Sequence, residues 1–420
     1  MKLRILRYLA DLRFAIFILI LLSIFSVLGT IIEQDQPIEI YKTNYPITSQ
    51  LFGFISWKTI LQLGLDHTYK TWWFYGLIIV FATSLVACTF LQQFPALKIA
   101  QRCQFFRVAK SFKQLEFSYT LNSSTFNKIL WKLKQIGYSF FHQRNLVYCY
   151  KGLIGRIAPI IVHFSLILIL SGTLIGAVSG FKAQEIIPKS EIFYVQNVFN
   201  NGQLSRLPNK AGRINDFWIT YTEKKTINQF YADISLLNEN GNEIKRKTCF
   251  VNTPLTYNNI YFYQTDWNLI GLRLKMLDFN KVEYPLLDID KTAKIWLTWI
   301  SLDSTFTDGI LILIDNLRDY SSIYTSKGEF LGNLEYNEVL ADIEQFQLIE
   351  ILSSTGLQIK TDPGIPIIYF GFLFLMLSTL ISYITYSQIW ILRINQNLFI
   401  GGTTTRDLFE FEFEFLNIIK

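Results

Sequence analysis

Hydrophobic residues are gathered into four long stretches without a single Asp, Glu, Lys or Arg, at residues 14–32, 72–91, 157–178 and 365–392. About 20 apolar residues cross the roughly 30 Å hydrocarbon core of a membrane as an α-helix. Each stretch is close to that length or longer. The pattern therefore predicts four membrane-spanning helices.

The first stretch has a second interpretation, because basic residues within positions 1–13 precede it, as in a cleaved signal peptide. Its apolar run is longer than the core of a signal peptide, and no small-x-small cleavage pattern follows it. We therefore expect a retained membrane helix.

The polar segments between the stretches differ in charge. Residues 92–156 hold eleven Lys and Arg against one acid, whereas residues 33–71 hold three Lys. Because basic loops stay on the cytoplasm-equivalent side, we expect residues 1–13, 92–156 and 393–420 on that side. Residues 33–71 and 179–364 are expected on the opposite side. The same rule accounts for the basic loop without a nucleic acid partner.

The basic segment is expected to fold as a small cap. Within residues 124–137 apolar side chains recur at helical spacing, with Ser124 placed to cap the start and Gly137 to end the helix. Strand-like flanks at residues 114–121 and 146–150 complete a β-α-β unit. The lysines of this helix are expected either on anionic lipid headgroups or in solvent.

Residues 179–364 are predicted to form a large, mainly-β domain outside the membrane, between the third and fourth helices. Residues 230–237, 260–265 and 310–314 are rich in β-branched and aromatic side chains, and Asn240-Gly241 is a hairpin signal. The predicted fold class is thus a membrane α-helical protein with four transmembrane helices and this β-domain. The Phe/Glu-rich tail carries no functional interpretation.

Several classes of chemistry are absent from the sequence. It contains no Walker A, H-E-x-x-H, G-x-S-x-G or dinucleotide-binding motif. The four cysteines form no C-x-x-C-H, so the chain has no c-type haem attachment site of its own. Only Cys249 lies in the predicted β-domain, which excludes a disulfide within it. No catalytic residue is predicted.

The chain has three histidines. His142 lies in the basic segment with no Cys or carboxylate cluster near it in sequence, and a structural or solvated role is favoured. His67 precedes the second stretch, where it can cap a helix or contact a ligand. His163 lies within the third stretch, about 10 Å from its start at 1.5 Å per residue. Ionisable groups at such depth are costly and indicate function.

A helical wheel places His163 on a face of apolar residues, namely Pro159, Leu166, Ile167, Leu170 and Leu174. Gly172, Gly176 and Gly180 lie on the opposite face, where they permit close packing against another helix. An imidazole on an apolar wall suits a flat, apolar ligand, and His is a common axial ligand of haem iron. We therefore predict His163 as an axial haem ligand, with Pro159, Leu170 and Leu174 on the apolar haem face. The other interpretation is a neutral imidazole bonded to a neighbouring helix.

Four parts of the sequence resemble the CcsB (ResB) family of system II cytochrome c biogenesis proteins, particularly its plastid and cyanobacterial branch. They are residues 11–34, 64–97, 151–181, and the pair 252–267 with 356–390. These parts sample all four predicted spans and the β-domain. The V-H-x-S-L context of His163 matches the family's histidine in the third span.

The resemblance implies a subunit that delivers haem for covalent attachment to apocytochromes c. The expected place is the lumenal side of a plastid thylakoid, or the corresponding cyanobacterial membrane. It also implies a CcsA-type partner, which carries a tryptophan-rich haem-handling segment. This chain has no Trp-Trp-Asp sequence, because Trp72-Trp73 is followed by Phe74, so the partner would supply that segment. Haem would be bound transiently and shared with that partner. The chain would be a non-autonomous component of a haem lyase complex and not an enzyme alone.

The sequence departs from the family in the fourth span. Where a histidine is expected in an S-H-S-Q context, the chain reads Thr385-Tyr386-Ser387-Gln388. A haem-ligand role for Tyr386 is therefore not expected.

Two other functions remain open at this point. One is a membrane-anchored chaperone or scaffold that holds apocytochrome without binding haem, and the other is a quinone-linked electron-transfer subunit. The haem content of the purified complex distinguishes the first from haem delivery. A reversible redox role would mark the second.

Overall fold

The computed structural model describes residues 2–48, 55–223, 226–276, 281–290, 294–301, 308–314, 320–335 and 346–420. The chain divides into two compact units. The first comprises residues 1–175 and 364–420, and the second comprises residues 176–363.

The helices have these bounds, in chain order. They are α1 (Lys2–Leu9), α2 (Leu12–Ile31), α3 (Ile38–Asn44), α4 (Trp57–Leu63), α5 (Trp72–Cys88), α6 (Phe94–Gln101), α7 (Phe126–Gln135), α8 (Ala158–Ser179), α9 (Ile365–Ser382) and α10 (Leu408–Ile419).

The strands have these bounds, in chain order. They are β1 (Phe117–Asn122), β2 (Ser139–Gln143), β3 (Leu146–Lys151), β4 (Phe181–Pro188), β5 (Ile192–Phe193), β6 (Val198–Asn201), β7 (Ala211–Tyr221), β8 (Ile227–Leu237), β9 (Glu243–Phe250), β10 (Leu255–Tyr257), β11 (Ile260–Met276), β12 (Lys281–Pro285), β13 (Leu287–Asp290), β14 (Ile295–Ser301), β15 (Gly309–Ile314), β16 (Tyr320–Thr325), β17 (Phe330–Glu335), β18 (Phe346–Thr361), β19 (Ser387–Ile394) and β20 (Asn397–Thr404).

Four helical segments within the described residues are long and apolar enough to cross a membrane. They run over Leu12–Ile31, Trp72–Gln101, Leu153–Ser179 and Ile365–Ser382. The first and third lie close to the predicted stretches 14–32 and 157–178. The second segment extends beyond its predicted end, because α5 continues through a π-helical turn at Thr89–Gln93 into α6.

The predicted extent of the fourth span, residues 365–392, is wrong at its C-terminal end. Helix α9 ends at Ser382, and the chain then enters strand β19. The charge-free stretch therefore combines a membrane-length helix with most of a strand that belongs to another part of the fold.

The reason for this error lies in the position of β19, which is the central strand of a five-stranded sheet. Ile389 and Ile391 lie in an apolar cluster on one face, and Trp390 and Leu392 lie in a second cluster on the other. A strand buried on both faces is apolar at successive positions. Hydropathy alone does not separate such a strand from the helix before it.

The predicted cap is a five-stranded antiparallel sheet in the order β1-β20-β19-β3-β2 together with α7 and α10. Ile129 and Leu133 of α7 pack in one apolar cluster with Phe415 and Ile418 of α10. Residues 393–420, expected as a tail, therefore belong to the cap and supply β20, the end of β19 and α10. The cap is closed by chain segments from before α8 and after α9.

The predicted cap helix is confirmed, with a different start. Ser123–Thr125 form a 3-10 turn and α7 begins at Phe126, so Thr125 and not Ser124 occupies the N-cap position. Gly137 follows the helix with φ +90°. That left-handed conformation is common just after a helix and favours glycine.

Two lysines of α7 form hydrogen bonds within the cap, and Lys128 is exposed, in line with the solvated alternative. The Nζ atoms of Lys128 and Lys132 donate to the carbonyl oxygens of Lys420 and Asn417, each across 2.9 Å. They therefore satisfy carbonyls at the C-terminal end of α10, where cations are favourable.

The second unit is mainly β, as predicted. It contains a six-stranded sheet in the order β10-β11-β18-β4-β6 with β12 paired to β11, a four-stranded sheet β5-β7-β8-β9, and a five-stranded sheet β13-β14-β15-β16-β17. One apolar cluster joins them, and Trp267, Trp296 and Leu357 are among its buried members. The strands predicted at residues 230–237, 260–265 and 310–314 correspond to β8, β11 and β15, and Gly241 lies between β8 and β9 with φ +79°.

Candidate functional site

His163 lies near the N-terminal end of α8 and is half-buried. Its hydrogen-bond partner, Thr89, lies in the π-helical turn that continues α5, and not on α8 itself. The Nδ1 atom of His163 lies 2.9 Å from the Oγ1 atom of Thr89, and Thr89 is 9% exposed. The imidazole is therefore bonded to a neighbouring helix, which was one of the two interpretations of this residue.

The hydroxyl of Thr89 makes a second contact that fixes the direction of the first. Thr89 Oγ1 lies 2.7 Å from the carbonyl oxygen of Leu85, which can only accept. A threonine hydroxyl carries one proton. With that proton directed at Leu85, the Thr89 oxygen can accept from His163, an arrangement that assigns the proton of the neutral imidazole to Nδ1.

This tautomer leaves the Nε2 atom of His163 with a lone pair. Histidines that bind metals usually donate their other ring N–H to a fixed acceptor, which sets both the tautomer and the ring orientation. Thr89 supplies such an acceptor here. The bond to a neighbouring helix and a ligand role for Nε2 are therefore compatible, and the arrangement fits axial ligation of haem iron.

The acceptor is held by an irregular segment of the second span. Residues Thr89–Gln93 form a π-helical turn, in which the backbone N–H of Phe94 bonds the carbonyl of Thr89. Single π-helical turns often occur at functional sites. The turn also directs Gln92 toward the start of the chain, where its Nε2 donates to the Ala10 carbonyl across 2.7 Å.

The opposite side of α8 packs closely against α9. A Cβ atom built on Gly172 would lie 2.7 Å from Ile368 Cγ1 and 3.0 Å from the Gly364 carbonyl oxygen. A Cβ atom on Gly371 of α9 would lie 2.6 Å from Ile169 Cγ1. The predicted packing face is confirmed at Gly172. Gly176 and Gly180 lie in the second unit and approach residues of that unit.

Pro159, Leu170 and Leu174 are half-buried residues of α8. They occur four, seven and eleven positions away from His163, and this spacing puts them on its face of a regular helix. Their role as an apolar face for haem remains a prediction.

The other histidines lie apart from His163. His67 is in a 3-10 turn before α5, with Nδ1 2.9 Å from Asp66 Oδ2 and a side chain that is 46% exposed. The 17 residues of α5 span about 25 Å between this turn and Thr89. His142 is an exposed residue of β2 whose ring lies 5.9 Å from that of Phe126.

The described residues contain no group of three or more His, Cys, Asp or Glu side chains that could hold a metal ion. His163 is a single imidazole, and the other two histidines of the sequence lie outside the four membrane-length segments. Thr89 was missed by the sequence analysis. In the sequence Thr89 is only a hydroxyl residue within a charge-free stretch. Thr83 lies in the same stretch, so the sequence does not distinguish the two.

Tyr386, which replaces the expected histidine, is 2% exposed and fully engaged in hydrogen bonds. Its hydroxyl donates to the Ala100 carbonyl across 3.0 Å and so accepts from Tyr148, 3.1 Å away. Gln388 Nε2 donates in turn to the Tyr148 hydroxyl across 2.6 Å. Burial raises the pKa of Tyr386. This phenol connects the cap sheet to the end of α6.

The sequence profile of the ResB-like family matches residues 12–296 and 316–416. The chain belongs to the ResB-like family. Since the match includes both Thr89 and His163, the site described above lies within the part of the chain that the family profile covers. Membership confirms the resemblance noted from the sequence.

Similar proteins extend this match to the whole chain. The cytochrome c biogenesis protein Ccs1 of the diatom Phaeodactylum tricornutum is 61% identical over 420 residues, covering all of both chains. Ccs1 of Heterosigma akashiwo is 43% identical over 92% of each chain. The cytochrome c biogenesis protein CcsB of the cyanobacterium Crocosphaera subtropica is 41% identical, covering 99% of this chain and 94% of that protein.

Proposed function

We propose that this chain is a subunit of a system II cytochrome c synthesis complex, in which it delivers haem for attachment to apocytochromes c. The observation that carries the proposal is full-length similarity to plastid and cyanobacterial proteins named for cytochrome c biogenesis. The four membrane-length helices would anchor such a subunit in the membrane. The β-rich second unit would form its part outside the membrane.

The role of His163 in this function follows from its tautomer. Thr89 accepts the Nδ1–H of His163, so the Nε2 atom would be the one that holds haem iron. The haem supplies the vinyl groups to which the cysteines of an apocytochrome c are joined. This chain would bind and orient it on the apolar face of α8, and a histidine of a CcsA-type partner would provide the second axial ligand.

The proposal also has a location. Diatom plastid and cyanobacterial relatives, together with the distribution of Lys and Arg, favour a thylakoid membrane with the cap on the stromal side. The β-rich unit would then lie in the lumen, where apocytochromes c receive haem. Its role there would be to hold or position the apocytochrome during transfer.

Deletion of the gene tests the function. Apocytochromes c should still be made and translocated but should lack covalent haem, because the attachment step alone is lost. Haem staining after denaturing electrophoresis, with antibody detection of the apoproteins, measures this. The b-type cytochromes, which need no attachment, serve as the internal control. Normal haem-stained c-type cytochromes in a clean deletion would refute the proposal.

A further inference from the structure

The sequence of α10, Leu408–Ile419, alternates Phe and Glu. In an α-helix, side chains two positions apart in sequence lie about 200° apart around the helix axis. Alternate phenylalanines therefore fall on two opposite faces. An inner stripe contains Phe411 and Phe415, and an outer stripe contains Phe409 and Phe413.

The inner stripe is part of the cap core. Phe411 is 4% exposed and Phe415 is fully buried. Their rings lie 5.6 and 6.0 Å from that of Phe117 on β1. A Cβ atom on Gly402 would come within 2.7 Å of Phe411, so the helix sits directly on β20. This side of α10 is accounted for by packing.

The outer stripe is uncovered. Phe409 is 84% exposed and Phe413 is 67% exposed. Isolated exposed apolar residues are ordinary, whereas neighbouring aromatic rings on one helical face mark an interaction site. The stripe is flanked by Glu410 and Glu412, which are exposed and form no ion pair with residues in the described part of the chain. Glu414, by contrast, is paired with Lys151 across 2.9 Å.

This acidic strip stands out from its surroundings. Residues 92–156 hold eleven Lys and Arg against one acid, while α10 has three Glu and no base. Lys128 and Lys132 of α7 donate to carbonyl oxygens at the C-terminal end of α10. The two exposed glutamates therefore remain available to an outside cation.

The N-terminal end of α10 is held beside the end of the fourth membrane-length helix. Arg406 Nη1 donates to the Ser382 carbonyl across 2.8 Å and contacts its hydroxyl at 2.9 Å. The Thr405 amide donates to the Tyr386 carbonyl across 3.1 Å. Phe409 thus follows, by three residues, an arginine that is bonded to the last residue of α9.

These observations select one kind of occupant. Loops of membrane proteins on the cap side are rich in Lys and Arg by the rule used for this chain. Such a loop complements two free glutamates and offers its aliphatic stems to two phenylalanines. Anionic headgroups would be repelled by the same glutamates.

We propose that the outer face of α10, formed by Phe409, Glu410, Glu412 and Phe413, docks a Lys/Arg-bearing loop of the membrane partner in the haem-delivery complex. The inference rests on the proposed function, since it assumes that the CcsA-type protein is that partner. It assigns the alternating tail a role in assembly.

The test is copurification of the CcsA-type protein with the tagged full-length chain from detergent-solubilised membranes. Two variants address the two parts of the surface: Phe409→Ser with Phe413→Ser, and Glu410→Lys with Glu412→Lys. Trp131→Ser is the matched control, because Trp131 is 62% exposed on α7 of the same cap but outside the surface. We expect both double variants to recover about tenfold less partner, a change of about 1.4 kcal/mol in binding, while the control recovers the wild-type amount.

A second measurement does not depend on altered folding or affinity. The photoreactive residue p-benzoylphenylalanine is placed at position 413 or, as the control, at position 131. Cross-linking to the CcsA-type protein from position 413 but not from 131 is the expected result. Wild-type recovery of partner by both double variants, or equal cross-linking from both positions, would overturn the inference and leave the proposed function standing. If the wild-type chain recovers no CcsA-type protein at all, the inference is also overturned, while haem staining in the gene deletion decides the proposed function separately.

Discussion

Thr89 accepts a hydrogen bond from His163 across 2.9 Å while donating its own proton to the Leu85 carbonyl. This pair joins the second membrane-length segment to the third at the depth of the imidazole. It favours the tautomer of His163 whose Nε2 is unprotonated. The account of haem binding depends on this relationship.

Replacement of Thr89 by Val tests the role of the acceptor. Valine keeps the shape of the side chain but removes the oxygen, so the Nδ1 proton loses its partner and the ring its fixed orientation. Changes to such supporting groups typically weaken metal binding 10- to 100-fold. We expect the purified complex with Thr89→Val to lose haem at least about tenfold more readily. The measurement is haem retained during washing, followed by absorption.

Thr89→Ser is the matched control, because serine restores the hydroxyl and should retain haem as the wild type does. Equal haem retention in the Val and Ser variants would show that the hydrogen bond does not support ligation.

The contact between α8 and α9 predicts an effect on stability alone. A methyl group at Gly172 would meet Ile368 at 2.7 Å and a backbone oxygen at 3.0 Å. The helices must separate to accept it, and overpacking of this kind costs about 1–3 kcal/mol. Gly172→Ala should therefore lower the thermal unfolding temperature in detergent.

Gly76 offers the control, since a Cβ atom built there meets nothing within 4 Å. Gly76→Ala in α5 should leave the unfolding temperature unchanged or raise it, because Ala favours a helix over Gly. A similar loss of stability in both variants would argue against close α8–α9 packing.

The cysteines should differ in reactivity. Cys149 and Cys249 are fully buried, and burial raises the pKa of the first thiol to about 12 and of the second to about 11. The thiolate is the reactive form, so at pH 7.5 both should resist maleimide until the protein is denatured. Cys103 is only partly buried and should be labelled in the native state. Mass spectrometry of labelled peptides measures this, and rapid native labelling of Cys149 would contradict the cap structure.

The sidedness of the two units can be tested with introduced cysteines, since the native ones are poorly placed for it. Asn240 in the second unit and Gln143 in the cap are both exposed. In a Cys103→Ser background, Asn240→Cys should react with an impermeant maleimide from the lumenal side only. Gln143→Cys should react from the stromal side only. Labelling of both from one side of sealed vesicles would disprove the proposed topology.

The sequence predicted those features that depend on local pattern. Three of the four spans, the helix of the cap and strands β8, β11 and β15 all follow from charge-free length or periodicity. The strand β19 was read as membrane helix because Ile389 to Leu392 are buried on both faces of a sheet, which makes them as apolar as a span. The sheet that buries them is built from segments more than 200 residues apart, and no local pattern records that pairing.

The candidate site was likewise predicted only in part. His163 was found because an ionisable residue in an apolar stretch is unusual. Thr89 was not, since threonines commonly bond their own helix within a span, as Thr83 does with Ile79. Only the π-helical turn and the approach of α8 distinguish it. The tail was uninterpreted because its period of two is that of a strand, yet it folds as a helix with two apolar faces.

The most direct test of the account is haem bound to the purified complex when His163 is replaced by Gly. The substitution removes the proposed ligand and leaves space beside Thr89 that free imidazole can enter. We predict that His163→Gly assembles with its partner but loses haem, and that added imidazole restores the haem absorption and covalent product. Full haem and full product in His163→Gly without imidazole would contradict the account and leave His163 as a packing residue bonded to Thr89.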